Sequence, residues 1–142
     1  LFTTLTVMLQ KEVAERIAAD PGGKEYGFLS VLVQYAAVPR LEFTVPAGAF
    51  TPRPKVDSTV LTLTMRDRPV TVANDETLFL RVIKAAFSQR RKTLRNSLRQ
   101  LGYAGDVMSA VMDGTGIDLG RRAETLSVSE FCRLANFLGQ NR

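Results

Sequence analysis

Two stretches of this 142-residue chain carry residues whose types and spacing could do chemistry. The first is AFTPRPKVDS, in which Phe50 stands just ahead of Pro52 and Pro54, with Arg53 and Lys55 interleaved. Each proline restricts the residue before it, Thr51 and Arg53, so the aromatic ring is mounted on a stiff loop with little entropy left to lose. A ring held in this way can offer its π-face to a base pulled from its stack, while Arg53 and Lys55 meet flanking phosphates. Asp57 and Ser58 are better suited to tying the loop to its own backbone. The competing reading makes Phe50 a plug at a sheet edge that the prolines guard.

The second stretch is FSQRRKTLRNSLRQLG, residues 87–102. Residues 81–99 hold seven Lys or Arg and no acid, a local excess that suits a polyanionic partner. If the stretch is helical, Phe87, Leu94, Leu98 and Leu101 share one narrow core sector. Arg91, Lys92, Arg95 and Arg99 then fan over the adjoining sector, with Arg90 on the other flank and Asn96 and Ser97 near by. Arginine predominates, which suits forked contacts to phosphate. A plain solvated face is the alternative.

Other chemistries have little to work with. There is no histidine and one cysteine, Cys132, so a zinc site, a His-based triad and an internal disulfide lack their residues. Cys132 sits beside a core stripe and reads as a small buried hydrophobe. The four methionines read as scattered core filler. Arg121, Arg122 and Glu124 suit an ion-pair turn or an RNA contact.

The elements that must position these residues divide near RDRPVTVAND. All six prolines lie at or before Pro69, and the net charge of +5 comes mainly from the second part. Residues 1–69 read as one α/β lobe and 70–142 as an all-helical one. In the first, LTVML suits a strand and LQKEVAERIAAD a helix with Val13 and Ile17 inward and Glu12–Arg16 paired outside. YGFLSVLVQYAA is apolar nearly all round, as for a helix buried on a sheet. RLEFTV places Leu41, Phe43 and Val45 on one face, STVLTLTMR alternates Leu61, Leu63 and Met65, and the two strands should be antiparallel neighbours. Tyr26 and Tyr35 should pack within this lobe.

In the second lobe, NDETLFLRVIKAAF starts at Asn74 or Asp75, and the basic stretch continues or follows it as far as Gly102. DVMSAVMDG forms a shorter helix. The last helix opens with a capping box, Ser127 and Glu130, a hydrophobic staple of Leu126 and Phe131, and ends at Gly139.

In order, MLQKEVAERI, YGFLSVLVQY, AFTPRPKVDS, FSQRRKTLRNSL and RRAETLSVSEF resemble the ribosomal RNA adenine dimethyltransferases, and their bacterial small-subunit branch in particular. The resemblance implies an S-adenosylmethionine-dependent Rossmann-like domain followed by a small helical domain. It also implies dimethylation of N6 on two adjacent adenosines near the 3′ end of 16S rRNA, a cytoplasmic setting, and a link to small-subunit assembly. Phe50 matches the aromatic of the family's F-x-P-x-P-K-V-x-S motif, which implies stacking on the target adenine.

The family's Gly-rich cofactor turn, its ribose-holding acid and its Asn/Asp-x-Pro-Tyr element have no counterpart here. The chain begins at Leu1 rather than Met and reads as the back half of the family: the end of the methyltransferase sheet, with antiparallel last strands, plus the helical domain. No catalytic or cofactor-binding residue is therefore expected in it, and bound cofactor, activity of the isolated piece and a lone-monomer state are not expected either. A non-catalytic RNA-binding or ribosome-assembly module is the alternative.

Overall fold

The computed structural model describes residues 3–142. Three strands, β1 (Thr4–Gln10), β2 (Ala37–Val45) and β3 (Ser58–Met65), make one sheet in the order β1-β3-β2. β3 is antiparallel to both neighbours, with Val7 and Leu41 opposite Leu61 on its two sides. The expected antiparallel pairing of β2 and β3 is therefore present, and the outer edge of β1 is unpaired among the described residues.

β2 departs from simple alternation. A bulge between Leu41 and Phe43 sets two residues of β2 against one of β3, so Leu41 opposes Leu61 while Phe43 opposes Val60. Opposed residues share a face and successive residues do not, so Leu41 lies on the face opposite Phe43 and Val45. The single apolar face expected for β2 is split by that extra residue.

Helices α1 (Lys11–Ala18) and α2 (Phe28–Ala36) pack on the sheet. Leu61, Ala37 and Thr59, on the face they cover, are buried. On the other face the row Met8–Val60–Phe43 is open, with Met8 51% and Phe43 60% exposed. α1 buries Ala14 and Ile17, leaves Val13 half-buried, and carries the expected Glu12–Arg16 pair at 2.6 Å. α2 is half-buried over most of its length rather than enclosed. Gln34 on α2 donates to the carbonyls of Ile17 and Ala19 at 2.7 and 2.8 Å, satisfying the open end of α1.

The helical part comprises α3 (Glu76–Ala86), the single-turn α4 (Leu94–Ser97), α5 (Gly105–Thr115) and α6 (Val128–Gln140). Asp75 caps α3, accepting from the Leu78 amide at 3.1 Å. The Ser127–Glu130 capping box is formed in both directions, and Leu126 and Phe131 are fully buried. Gly139 does not end α6, which runs on to Gln140. A Cβ there would come within 3.2 Å of Leu78, so the glycine lets α6 approach α3 closely.

One core joins the two parts. Tyr26, expected within the first lobe, is fully buried edge-to-face against Phe87, and Tyr35 packs on Phe79 with ring centroids 4.9 Å apart. The Tyr35 hydroxyl accepts from the Ala73 amide. Burial raises the Tyr26 phenol, and the charge of Glu130 adds to it. Cys132 is buried, and desolvation pushes its thiol up to about 11. The methionines are not uniformly core: Met108 is buried, whereas Met8 and Met112 are more than half exposed, at 51% and 54%. Among the described residues no helix is long and apolar enough to cross a membrane.

Candidate functional site

The proline loop is held at its base and bare at its tip. The Asp57 carboxylate accepts from the Ala47 amide at 2.9 Å, and its carbonyl accepts from the Lys11 amide at 3.0 Å. The Asp57 carboxylate thus joins the two ends of the loop, as its type and place suggest, and its carbonyl ties the loop to the start of α1. Phe50 closes a 3-10 turn over Ala47–Ala49, is half-buried, and has extended backbone. Residues 51–56 are all exposed, and the Thr51–Pro52 peptide is cis. Arg53 lies on this exposed tip. Lys55 borders a shallow hollow with Lys11, Glu12 and Glu15.

The basic stretch is not one helix. α3 stops at Ala86, Phe87 has φ −90° and ψ 0°, and residues 88–93 form turns before α4. Two causes act together. In a continuous helix Arg91 and Lys92 would each lie one turn from Arg95, setting like charges beside one another. The backbone also has better partners elsewhere: the Leu94 and Arg95 amides donate to the carbonyls of Arg121 and Leu119, at 2.8 and 3.0 Å. The core members survive the change of conformation, with Leu94 and Leu98 buried and Phe87 and Leu101 half-buried. A 3-10 turn over Leu98–Leu101 follows, ended by Gly102 at φ 78°.

This refolding sorts the cations. Arg91, Lys92, Arg95 and Arg99 are exposed, and none has a carboxylate within 4.0 Å among the described residues. Arg90, expected with the phosphate-facing set, is engaged differently. Its guanidinium donates to the carbonyls of Lys24 and Tyr26, with the latter bond 3.1 Å long. Because the chain turns at 88–93 instead of coiling, Arg90 reaches back across the joint and ties the helical part to the loop before α2.

Lys92 and Arg99 flank an open basin of about 660 Å³. Its walls are otherwise uncharged: the amides of Gln89, Asn96 and Gln100, and the hydroxyls of Ser88 and Ser97. Sequence reasoning reached Asn96 and Ser97 as neighbours of the cations but missed Ser88, Gln89 and Gln100. The polar residues flanking the charges on both sides were the available signal, and a helical wheel scattered them.

The ion-pair turn forms with other partners than expected. Arg121 pairs with Glu130 at 2.6 Å and donates to the Thr125 carbonyl, also at 2.6 Å. Arg122 is exposed, and Glu124 Oε2 is buried without a hydrogen-bond partner among the protein atoms. The bond from Arg121 holds the Glu130 carboxyl below the usual carboxylate range, against an opposing desolvation, and the Ser127 amide adds to the lowering. Arg121 is raised by the same bond. Glu130 was read from sequence only as a capping residue; three charges nine or fewer residues apart gave no reason to choose it over Glu124.

The phenyl loop and the cation row lie on different parts of the molecule, one between β2 and β3 and one after α3. No hollow described here is lined by both.

The model of the family described as ribosomal RNA adenine dimethylase matches residues 2–140. Proteins named ribosomal RNA small subunit methyltransferase A are similar to the chain in sequence. That of Caldanaerobacter subterraneus subsp. tengcongensis is 47% identical over 97% of this chain and 52% of its own length. That of Moorella thermoacetica is 49% identical over 94% and 46%, and that of Syntrophotalea carbinolica 51% over 97% and 52%. The chain thus spans about half the length of these relatives. In fold it is similar to a dimethyladenosine transferase from Plasmodium falciparum, with TM-score 0.72, 21% identity, and coverage of 94% of this chain and 56% of that one. It is also similar to the 23S rRNA methyltransferase ErmE, with TM-score 0.63, 23% identity, and coverage of 97% and 55%.

Proposed function

Because the chain belongs to the ribosomal RNA adenine dimethylase family, we propose that it supplies the RNA grip and the target-base loop of an rRNA adenine N6,N6-dimethyltransferase. The substrate in this reading is small-subunit rRNA, with two adjacent adenosines near the 3′ end of 16S rRNA as targets, and the methyl donor of the complete enzyme is S-adenosylmethionine. The observation that carries the reading is the set Arg91, Lys92, Arg95 and Arg99: four exposed cations without a carboxylate partner among the described residues, two of which, Lys92 and Arg99, border a polar basin. Paired surface cations serve the fold, whereas unpaired ones of a single sign attract a polyanion.

The work divides between two places. The cation row binds backbone phosphates and sets the register of the RNA. Phe50, on the loop whose ends Asp57 joins, gives an extruded adenine a ring to stack on, and Arg53 and Lys55 steady the flanking backbone. The residues present do not fit S-adenosylmethionine by themselves. Of the positive-φ glycines, Gly102 and Gly116 end helical turns and Gly22 lies in the turn after α1, while β1 passes into α1 at Gln10–Lys11 without a glycine turn. Methyl transfer therefore needs groups beyond those of this chain, and the isolated chain acts as an RNA-binding module without activity.

Binding to a small-subunit rRNA fragment, measured against salt, tests the reading. Changing Arg91, Arg95 and Arg99 together to Ala should weaken binding and make the log–log salt slope shallower by about 0.7–0.9 per lost phosphate contact. All three side chains are exposed and none has a carboxylate partner among the described residues, so the substitutions should leave the fold intact. An unchanged affinity and slope would return the row to a merely solvated surface.

A further inference from the structure

The basin beside the cation row has a hydrogen-bonding pattern that charge alone does not explain. Gln100 Nε2 donates twice, to Ser88 Oγ at 2.8 Å and to the Ser97 carbonyl at 3.0 Å. Both amide hydrogens are thereby engaged, which fixes the flip of the side chain and leaves Oε1 as its open acceptor. The Ser88 hydroxyl donates to the Ala85 carbonyl at 2.6 Å, so its hydrogen points into the protein. Ser97, 1% exposed, forms the floor. Gln89 and Asn96 complete the wall with side-chain amides that have no protein partner among the described residues, each able to donate and accept.

We propose that this basin is a ribose-reading subsite. One nucleotide unit sits in it with its phosphate against Lys92 and Arg99 and its 2′-hydroxyl against the amides of Gln89, Asn96 and Gln100. A 2′-hydroxyl is both donor and acceptor, and the wall presents an oriented acceptor next to groups that do both. The volume, about 660 Å³, is within the range of small-ligand sites. No carboxylate lines the basin, so nothing there repels phosphate. Lys92 and Arg99 cannot distinguish RNA from DNA, because both carry the same phosphate; the 2′-hydroxyl is what separates them. The cations therefore supply affinity and the amides supply the preference for RNA.

This inference rests on the proposed RNA-binding function, and the test separates the two. Full-chain protein is titrated by fluorescence anisotropy with a single-stranded RNA 12-mer and its all-deoxy counterpart, in adenine-rich and uracil-rich versions. Gln89→Ala with Asn96→Ala removes only side chains without protein partners, so the fold should be retained; thermal unfolding checks this. The double variant should bind RNA about 5–10-fold more weakly, the loss of one or two hydrogen bonds, with DNA affinity and salt slope unchanged. Lys92→Ala with Arg99→Ala should weaken RNA and DNA alike and flatten both slopes. An unaltered RNA-to-DNA ratio in the amide variant, or a loss confined to adenine-rich RNA, would overturn ribose reading while leaving RNA binding standing. Failure of the wild-type chain to bind RNA at all would overturn the proposed function and this inference together.

Discussion

Arg90→Ala separates the role read from charge from the role given by geometry. Its guanidinium bridges the helical part to the carbonyls of Lys24 and Tyr26, just before α2. A hydrogen bond to a charged group contributes about 1.5–3 kcal/mol when well shielded. Arg90 is exposed, so water competes for the same donors and the two bonds together should contribute about 1–2 kcal/mol. For a domain of this size, that loss corresponds to a fall in melting temperature of roughly 3–8 °C. Both bonds leave a single nitrogen, Nη2, so the ammonium of Arg90→Lys, with three donors but a shorter stem, should recover part of it. The Tyr26–Phe87 and Tyr35–Phe79 contacts remain, so the joint should loosen rather than come apart. The assay pairs thermal unfolding with the salt dependence of RNA binding. Loss of stability with an unchanged salt slope supports the strut. Unchanged stability with a slope shallower by about 0.7–0.9 would refute it and return Arg90 to the phosphate-facing row.

The other expectations concern the loop, the capping pair and the open sheet. In the complete enzyme, Phe50→Ala should lower methylation by about tenfold to hundredfold, the worth of one stacked base, while Phe50→Tyr retains most of it. Phe50 is only half-buried, so a stability loss near the roughly 3–5 kcal/mol of a core Phe truncation, with turnover preserved, would identify a plug instead. Glu130 is held below its ordinary range by Arg121, so its contribution is complete above an unfolded value of about 4.3 and is lost as pH falls through the lower folded value. Glu130→Gln should therefore destabilise at pH 7 and flatten the acid limb of a stability–pH curve, and an unaltered limb would count against the pair. Met8 and Phe43 on the open face, carried by the two edge strands β1 and β2, should drive self-association of the 142-residue chain in concentration-dependent light scattering. A monomer at all concentrations would show that this surface is tolerated bare.

Local chemistry was legible wherever a residue's partner lies within a few positions. The Ser127–Glu130 box, the Asp75 cap, the Glu12–Arg16 pair and the turn at Gly102 all follow from side chains acting on their own backbone or one helical turn away. Alternation in β3 belongs to the same class, and the latch at Asp57, though it reaches ten residues back to Ala47, was legible because both ends belong to one loop. What only the tertiary structure decided involves partners far along the chain. The basic stretch breaks because Leu94 and Arg95 find acceptors at Arg121 and Leu119, and that break moves Arg90 onto Lys24 and Tyr26. Arg121 takes Glu130 rather than Glu124, and the β2 bulge turns Leu41 away from Phe43. A period of 3.6 or 2 describes a segment in isolation; a competing acceptor or an extra residue against a neighbouring strand acts only once the chain has brought distant segments together. The cations were visible in the sequence, but the basin they border exists only because the chain turns where its local pattern would coil.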